Sequence, residues 1–220
     1  DPDHIILATG AKRIAPAITG KEQRHVFDGD QLRGILLGNS PAAIAKLSAL
    51  QRLLINIGRL SQLLRNIRLM RFLSKLWMPI RREVFIIGGG LVGLELAEFL
   101  VERNRKVIVL EPGPSFGAEL SIVRRARVLH LLGEDGAELH KSVGDLEIGA
   151  HMIRFSLDGE VQERKCTQVI IAMGAEPDDS LLKELAGSSA RIHQIGDCRE
   201  VGYIDGAILD ARKLVQQMEL

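Results

Sequence analysis

EVFIIGGGLVGLELAEFLVERN, residues 83–104, followed directly by KVIVLE at 106–111, decides how this chain folds. EVFII (83–87) is a short apolar run with the β-branching of a buried strand. GGGLVG (88–93) reads as a tight turn, and LELAEFLVERN (94–104) carries apolar residues at helical spacing. KVIVLE is a second buried strand, ended by Pro112-Gly113-Pro114. Strand, glycine turn, helix and strand make a βαβ unit. Gly88-x-Gly90-x-x-Gly93 sits in it where a dinucleotide fingerprint belongs, with Glu111 closing the next strand.

Each of these positions has a physical task. Gly88 permits the sharp exit from the strand, Gly90 lets backbone approach a pyrophosphate, and Gly93 lets the helix press on the sheet. The helix N-terminus at Leu91 and Val92 offers unpaired amides and a partial positive charge to the diphosphate. Glu111 can accept hydrogen bonds from both adenosine ribose hydroxyls and would repel a 2′-phosphate, so NAD(H) is expected in preference to NADP(H). A chance glycine turn, or an S-adenosylmethionine enzyme with a similar first turn, fits the glycines alone. The flanking strands and Glu111 favour the dinucleotide.

Working outward, 119–133 reads as a helix, 137–143 as a strand, and 144–165 as an antiparallel meander turning at Asp158-Gly159. Two further segments look alike, ILATG (6–10) and IIAMGAEP (170–177), each a buried strand leaving through glycine. RIHQIGD (191–197) is a short strand ending in Gly196-Asp197, followed by a helix over 206–219. Residues 11–40 are turn-rich, with Pro16, Gly20, Gly29, Gly34 and Gly38 expected to break any long element. The chain opens Asp1-Pro2-Asp3 and enters Ile5-Ile6-Leu7 at once, which reads as a strand cut from a longer sheet in a longer protein.

Residues 41–81 differ in kind. From Gln31 to Arg82 there is no Asp or Glu, while Lys and Arg recur among leucines and isoleucines. This predicts one or two basic amphipathic helices, packed by their leucine face or docking an acidic partner or a membrane surface. Charges interrupt every apolar run well before the roughly 20 residues a membrane span needs.

Composition sets wider bounds. The 220 residues carry a formal charge of +1, which argues against a global preference for nucleic acid or acidic membranes. Abundant glycine (22 residues) with only 4% aromatics suits an α/β fold with many strand-to-helix turns. Cys166 and Cys198 form no CxxC pair, and the six histidines show no ligand spacing, so neither a dithiol centre nor a metal site is expected. With no signal peptide in view, a cytoplasmic location is the default expectation.

With ATG, GGGLVGLELAEFL, Glu111, the second glycine strand and IGDC in this order, the whole chain resembles the carboxy-terminal half of NADH:flavin oxidoreductases. These are the long old-yellow-enzyme relatives, such as 2,4-dienoyl-CoA reductase and trimethylamine dehydrogenase, and IGDCREVGYIDGAILDARKL is particularly like them. The resemblance implies an α/β, Rossmann-like NAD(P)-binding domain with a parallel sheet, helices on both faces and a small meander, inserted in a partial FAD-binding domain. Its expected segments are 1–40 and 176–220 for the FAD part, 41–81 for the basic helical insert, and 82–175 for the NAD(H) part.

The same resemblance implies roles. Glu95, one helical turn from Glu98, matches a family position near the nicotinamide, and Met173 and Gly174 would line the nicotinamide end. Thr9 and Gly10, with Gly196 and Asp197, would serve FAD, Asp197 bonding the ribityl chain. An FMN barrel and a 4Fe-4S cluster are expected in parts of the protein beyond this chain. The FAD module's own glycine fingerprint is absent here, so tight FAD retention and turnover by this chain alone are not expected. The implied function is electron input, with NADH as donor. A non-catalytic ADP-holding scaffold, as in the amine dehydrogenase branch, and a barrel-less FAD-dependent NADH reductase stay open. An oligomer is compatible with all three, and exposed apolar surface is expected to make the isolated chain self-associate.

Overall fold

The strand that precedes the glycine turn lies at the centre of a parallel sheet, and a computed structural model of the chain, describing residues 2–13, 16–37, 40–60 and 67–218, shows why. In order across the sheet, numbered along the chain, are β3 (Val26–Asp28), β10 (Val169–Ile171), β4 (Glu83–Ile87), β5 (Lys106–Glu111) and β6 (Glu138–Lys141). All four pairings are parallel, with Ile87 opposite Leu110 and Ile171. Parallel strands covered on both faces read as unbroken apolar runs. Val84 to Ile87 and Val107 to Leu110 are accordingly fully buried.

Alternate residues feed two cores. Val84, Ile86, Val107, Val109 and Ile170 pack against Leu94, Ala97 and Leu100 of α5 (Leu91–Val101) and Val128 and Leu132 of α6 (Ile122–Glu134). Phe85, Ile87, Ile108, Leu110, Val169 and Ile171 face the other way, onto Ile148, Ile153 and Phe155. Those three belong to a meander of β7 (Gly144–Ile148), β8 (Met152–Leu157) and β9 (Glu160–Lys165). Its β8–β9 turn uses Asp158 at φ 53° and Gly159 at φ 84°, the left-handed pair of a tight hairpin. The α/β, Rossmann-like fold stands, with one refinement. Helices cover one face of the sheet and the meander covers the second, where helices on both faces were expected.

Residues 11–40 also depart from expectation. They hold β3 and a nine-residue helix, α1 (Gly29–Leu37), started by Asp28, whose Oδ1 accepts the Gln31 amide at 2.7 Å. Gly34 inside that helix makes room for Ser40, whose Cβ would lie 2.3 Å from an added Cβ, a clash that outweighs the about 1 kcal/mol glycine costs in a helix. Because β3 pairs with β10, residues 16–37 belong with the large sheet, whereas Ala11–Arg13 pairs within the smaller unit. The chain divides into one unit of Ala15–Met173 and another of Asp1–Ile14 with Gly174–Leu220. The expected boundary between residues 40 and 41 therefore falls inside the larger unit.

The basic stretch forms α2 (Pro41–Ala45), α3 (Ala49–Leu60) and α4 (Ile67–Leu76). Ala43, Leu47 and Ile55 pack on Phe27 and Ile35, so this segment is partly core. Ser74 of α4 accepts a hydrogen bond from Arg103 Nε at 3.0 Å, and that guanidinium stacks 3.6 Å from the Phe99 ring. Leu50 and Leu53 of α3 remain 67% and 56% exposed. No described helix is long and apolar enough to cross a membrane.

In the smaller unit, β1 (His4–Leu7) pairs in parallel with β12 (Arg191–Gln194), and β2 (Ala11–Arg13) pairs antiparallel with β11 (Ala175–Pro177). A short helix, α7 (Ser180–Glu184), and the 16-residue α8 (Tyr203–Met218) complete it.

Both cysteines are buried. Burial pushes the Cys166 thiol up from 9.0 to about 11, against a backbone hydrogen bond at Gln168 that lowers it. The folded state holds this proton more tightly than the unfolded chain. The stability it contributes is present below pH 9 and is lost as pH rises through about 11. At pH 8, Cys166 in the native protein should react with a disulfide reagent roughly a hundredfold slower than in urea. Site-resolved mass spectrometry of the labelled protein measures this, and equal rates would contradict the burial.

Candidate functional site

At the carboxyl end of β4 the chain must reverse under α5. Gly88 turns it at φ 106° while its amide donates to Leu110 O at 2.8 Å, tying the turn to β5. Gly93 lies so close beneath that a Cβ there would stand 1.8 Å from the Gly88 carbonyl oxygen. No side chain could occupy that gap.

Gly90 is the N-cap of α5 and brings no side-chain cap to it. The amides at Leu91 and Val92 therefore open the helix without an acceptor from that position. Val92 is 44% exposed. This is the arrangement expected for a diphosphate cradle, with room kept by the missing Cβ. A carboxylate stands beside it: Glu119 Oε1 lies 2.7 Å from where a Gly90 Cβ would be. Sequence reasoning passed over Glu119, because in the loop between β5 and α6 it reads as an ordinary surface acid.

Glu111 closes β5 with both carboxylate oxygens engaged. Oε2 accepts the Gly89 amide and Oε1 the Gly113 amide, each at 2.5 Å. It thus joins the glycine turn to the loop after β5. Each oxygen keeps a further lone pair for a ribose hydroxyl.

The remaining expected residues are placed as follows. Met173 follows β10 beside the turn, its Cβ 3.0 Å from a Cβ built on Gly88, and is 37% exposed. Gly174 has φ 95°. Glu95 lies on the flank of α5 that meets α6, where Arg124 Nη2 donates to its Oε1 at 2.5 Å. Spacing along one helix gave no sign of that partner.

In the smaller unit, the parallel pairing of β1 with β12 puts Leu7 opposite Gln194, so Thr9-Gly10 and Gly196-Asp197 leave neighbouring strands at the same end. Ligands of open α/β sheets gather at such ends. Asp197 caps the following helix, its Oδ1 accepting the Gly202 and Tyr203 amides at 3.0 and 2.9 Å. Buried Asp210 accepts the Gly196 amide at 3.0 Å and Arg199 Nη2 at 2.6 Å, which fixes this glycine turn. Asp210 is also absent from the sequence-based site, since a carboxylate 14 residues on in a helix carries no local signal. Among the described residues no group of His, Cys, Asp and Glu could hold a metal ion.

The sequence profile of pyridine nucleotide-disulphide oxidoreductases matches residues 1–196. An NADH oxidase from Thermoanaerobacter brockii is 24% identical over 220 residues, covering 99% of this chain and 28% of the relative. A bilirubin reductase from Mediterraneibacter gnavus (strain CC55_001C) is 26% identical over 204 residues, covering 91% of this chain and 25% of the relative. Among solved structures, a 2-naphthoyl-CoA reductase complexed with 2-naphthoyl-CoA superposes with a TM-score of 0.67 at 23% identity, over 97% of this chain and 26% of that one. The chain thus spans about a quarter of the length of these relatives. Because the profile match takes in both units and not only the glycine turn, the chain belongs to the pyridine nucleotide-disulphide oxidoreductase family.

Proposed function

We propose that this chain is the NADH-binding, electron-input module of a multi-centre flavin-dependent oxidoreductase. The observation that carries this reading is Glu111. Its carboxylate stands at the end of β5, anchored to Gly89 and Gly113, beside a turn that has no Cβ at the diphosphate position. When bound, NADH would supply a hydride and FAD would accept it. Gly88, Gly90, Leu91, Val92 and Gly93 hold the diphosphate, Glu111 orients the adenosine ribose, and Met173, Gly174 and Glu95 are assigned to the nicotinamide end. Thr9, Gly10, Gly196 and Asp197 are assigned to FAD. Hydride transfer needs no protein acid or base, so the work of these residues is positioning and exclusion of water. Onward transfer to a 4Fe-4S cluster and an FMN barrel is assigned to the rest of a longer, cytoplasmic protein; the relatives' greater length leaves room for such parts, and the similarity to an NADH oxidase supports NADH as the donor.

Calorimetric titration with NADH, NADPH and ADP tests the reading. NADH should bind at least about tenfold more tightly than NADPH, and more tightly than ADP. Equal affinity for ADP and NADH would mean that only the adenosine half is recognised, and the hydride-donor reading would fail in favour of a nucleotide-holding scaffold.

Glu119 yields a separate expectation. Its carboxylate stands where a diphosphate would bring like charge. Glu119→Gln should tighten NADH binding about two- to fivefold, the size of a charge effect at an exposed helix N-terminus. The same titration measures it, and weaker binding by the variant would show that Glu119 helps to hold the nucleotide.

A further inference from the structure

The opposite end of the large sheet holds a second concentration of polar groups, independent of the nucleotide reading. His25 enters β3, Arg81 comes just before β4, and Gln168 enters β10. Gln168 Oε1 accepts the Arg81 amide at 2.6 Å, and His25 O accepts the Val169 amide at 3.0 Å, locking the three strand entries together. Beside them the end of α2 is closed by Arg24, whose Nε and Nη2 donate to the carbonyls of Lys46 and Leu47 at 2.9 and 3.2 Å. Lys46 Nζ in turn donates to Val26 O at 2.7 Å and Gln31 Oε1 at 3.1 Å.

Between these groups lies a cavity of about 570 Å³. Arg24, Lys46, Arg81, His25 and His151 line it, and no Asp or Glu is among its described lining residues. The acids that act on Lys46, Glu22 and Asp28, lie outside that lining. The cations are only partly used. Arginine has five N–H groups and the ammonium three, and the bonds above take two from each of Arg24 and Lys46. Among the described residues, buried His25 Nε2 has no hydrogen-bond partner. Burial, then His151 and Lys46, push its pKa below the ordinary imidazole value, so the ring is neutral at pH 7. A neutral, buried and unsatisfied ring nitrogen among cations is poorly explained as packing. Phe27, Leu47 and Pro79 supply an apolar wall.

We propose that this cavity is a second ligand site, for a small organic anion whose carboxylate or phosphate meets Arg24, Lys46 and Arg81 and hydrogen-bonds His25 Nε2, with its apolar body against Phe27, Leu47 and Pro79. The ligand class follows from the lining: cations without carboxylates for the head, a ring and two aliphatic surfaces for the body.

The test is an NMR titration of the full chain with labelled histidine, at pH 7.5 and constant ionic strength, read at the His25 ring, which lies at the opposite end of the sheet from the nucleotide turn. Benzoate, phenyl phosphate and inorganic phosphate are the probes. The expected result is a saturable shift of the His25 ring resonances with both aryl anions, at lower concentration than with inorganic phosphate. Arg81→Gln, at an exposed position whose backbone bond to Gln168 is retained, should raise the half-saturation at least fivefold while leaving the backbone spectrum intact. Shifts that stay linear with concentration, or that match between wild type and Arg81→Gln, would overturn the site. Tighter binding of inorganic phosphate than of either aryl anion would overturn the assigned ligand class.

Discussion

Gly93→Ala should lose at least a hundredfold in NADH affinity and about 2–3 kcal/mol in stability, the upper range for forcing one carbon into a filled space. The added Cβ would lie 1.8 Å from the Gly88 carbonyl oxygen, which is backbone and cannot rotate away. Gly88 cannot retreat either. Its amide is bonded to Leu110 O, and a Cβ built on it already lies 2.9 Å from Ala172 O. The clash can be relieved only by lifting α5 off the sheet or by opening the turn, and both would dismantle the proposed diphosphate cradle. Gly133→Ala in α6 is the control, because among the described residues nothing beyond its own helix backbone lies within 4 Å of the added Cβ. That change should stabilise the chain by about 0.5–1 kcal/mol. Urea unfolding and calorimetry on the pair give the answer, and an unaltered NADH affinity in Gly93→Ala would remove the glycine turn from the binding site.

Glu111→Ala should weaken NADH binding about thirty- to a hundredfold and erase most of the preference over NADPH. Two hydrogen bonds from a carboxylate to ribose hydroxyls account for the first effect, at roughly 1–1.5 kcal/mol each. Loss of the repulsion between a carboxylate and a 2′-phosphate accounts for the second. The variant also strips acceptors from the Gly89 and Gly113 amides. Some loss of stability is therefore expected as well, and the NADH-to-NADPH ratio is the cleaner reading because both ligands share that defect. A ratio equal to wild type would exclude Glu111 from ribose recognition.

How much of this could be read from sequence depended on how local each signal was. β4, β5 and the glycine turn were legible because strands buried on both faces are unbroken apolar runs, and because the turn's steric demand admits only glycine at Gly93. β2, β3, β10 and β11 have three residues each, too few to show a period. β10 is legible through the longer apolar run around it, whereas glycines hide β3 and, with it, the start of the larger unit. Arg124 beside Glu95 and Asp210 beside Gly196 come from other elements, so no spacing within one element could announce them. Asp197 was recognisable as a Gly-Asp turn, yet only the structure shows its Oδ1 engaged at the head of α8.

The order of strands in the large sheet bears on how the protein is made. β10 lies between β3 and β4, although it is synthesised some 80 residues after β4. Until Val169–Ile171 has been made, β3 and β4 lack the strand that joins their edges in the finished sheet. Meanwhile the growing polypeptide carries two apolar edges able to recruit a stranger's strand. Synthesis that stalls or stops before Ile171 should therefore yield aggregates, whereas a stop a few residues later leaves this sheet complete.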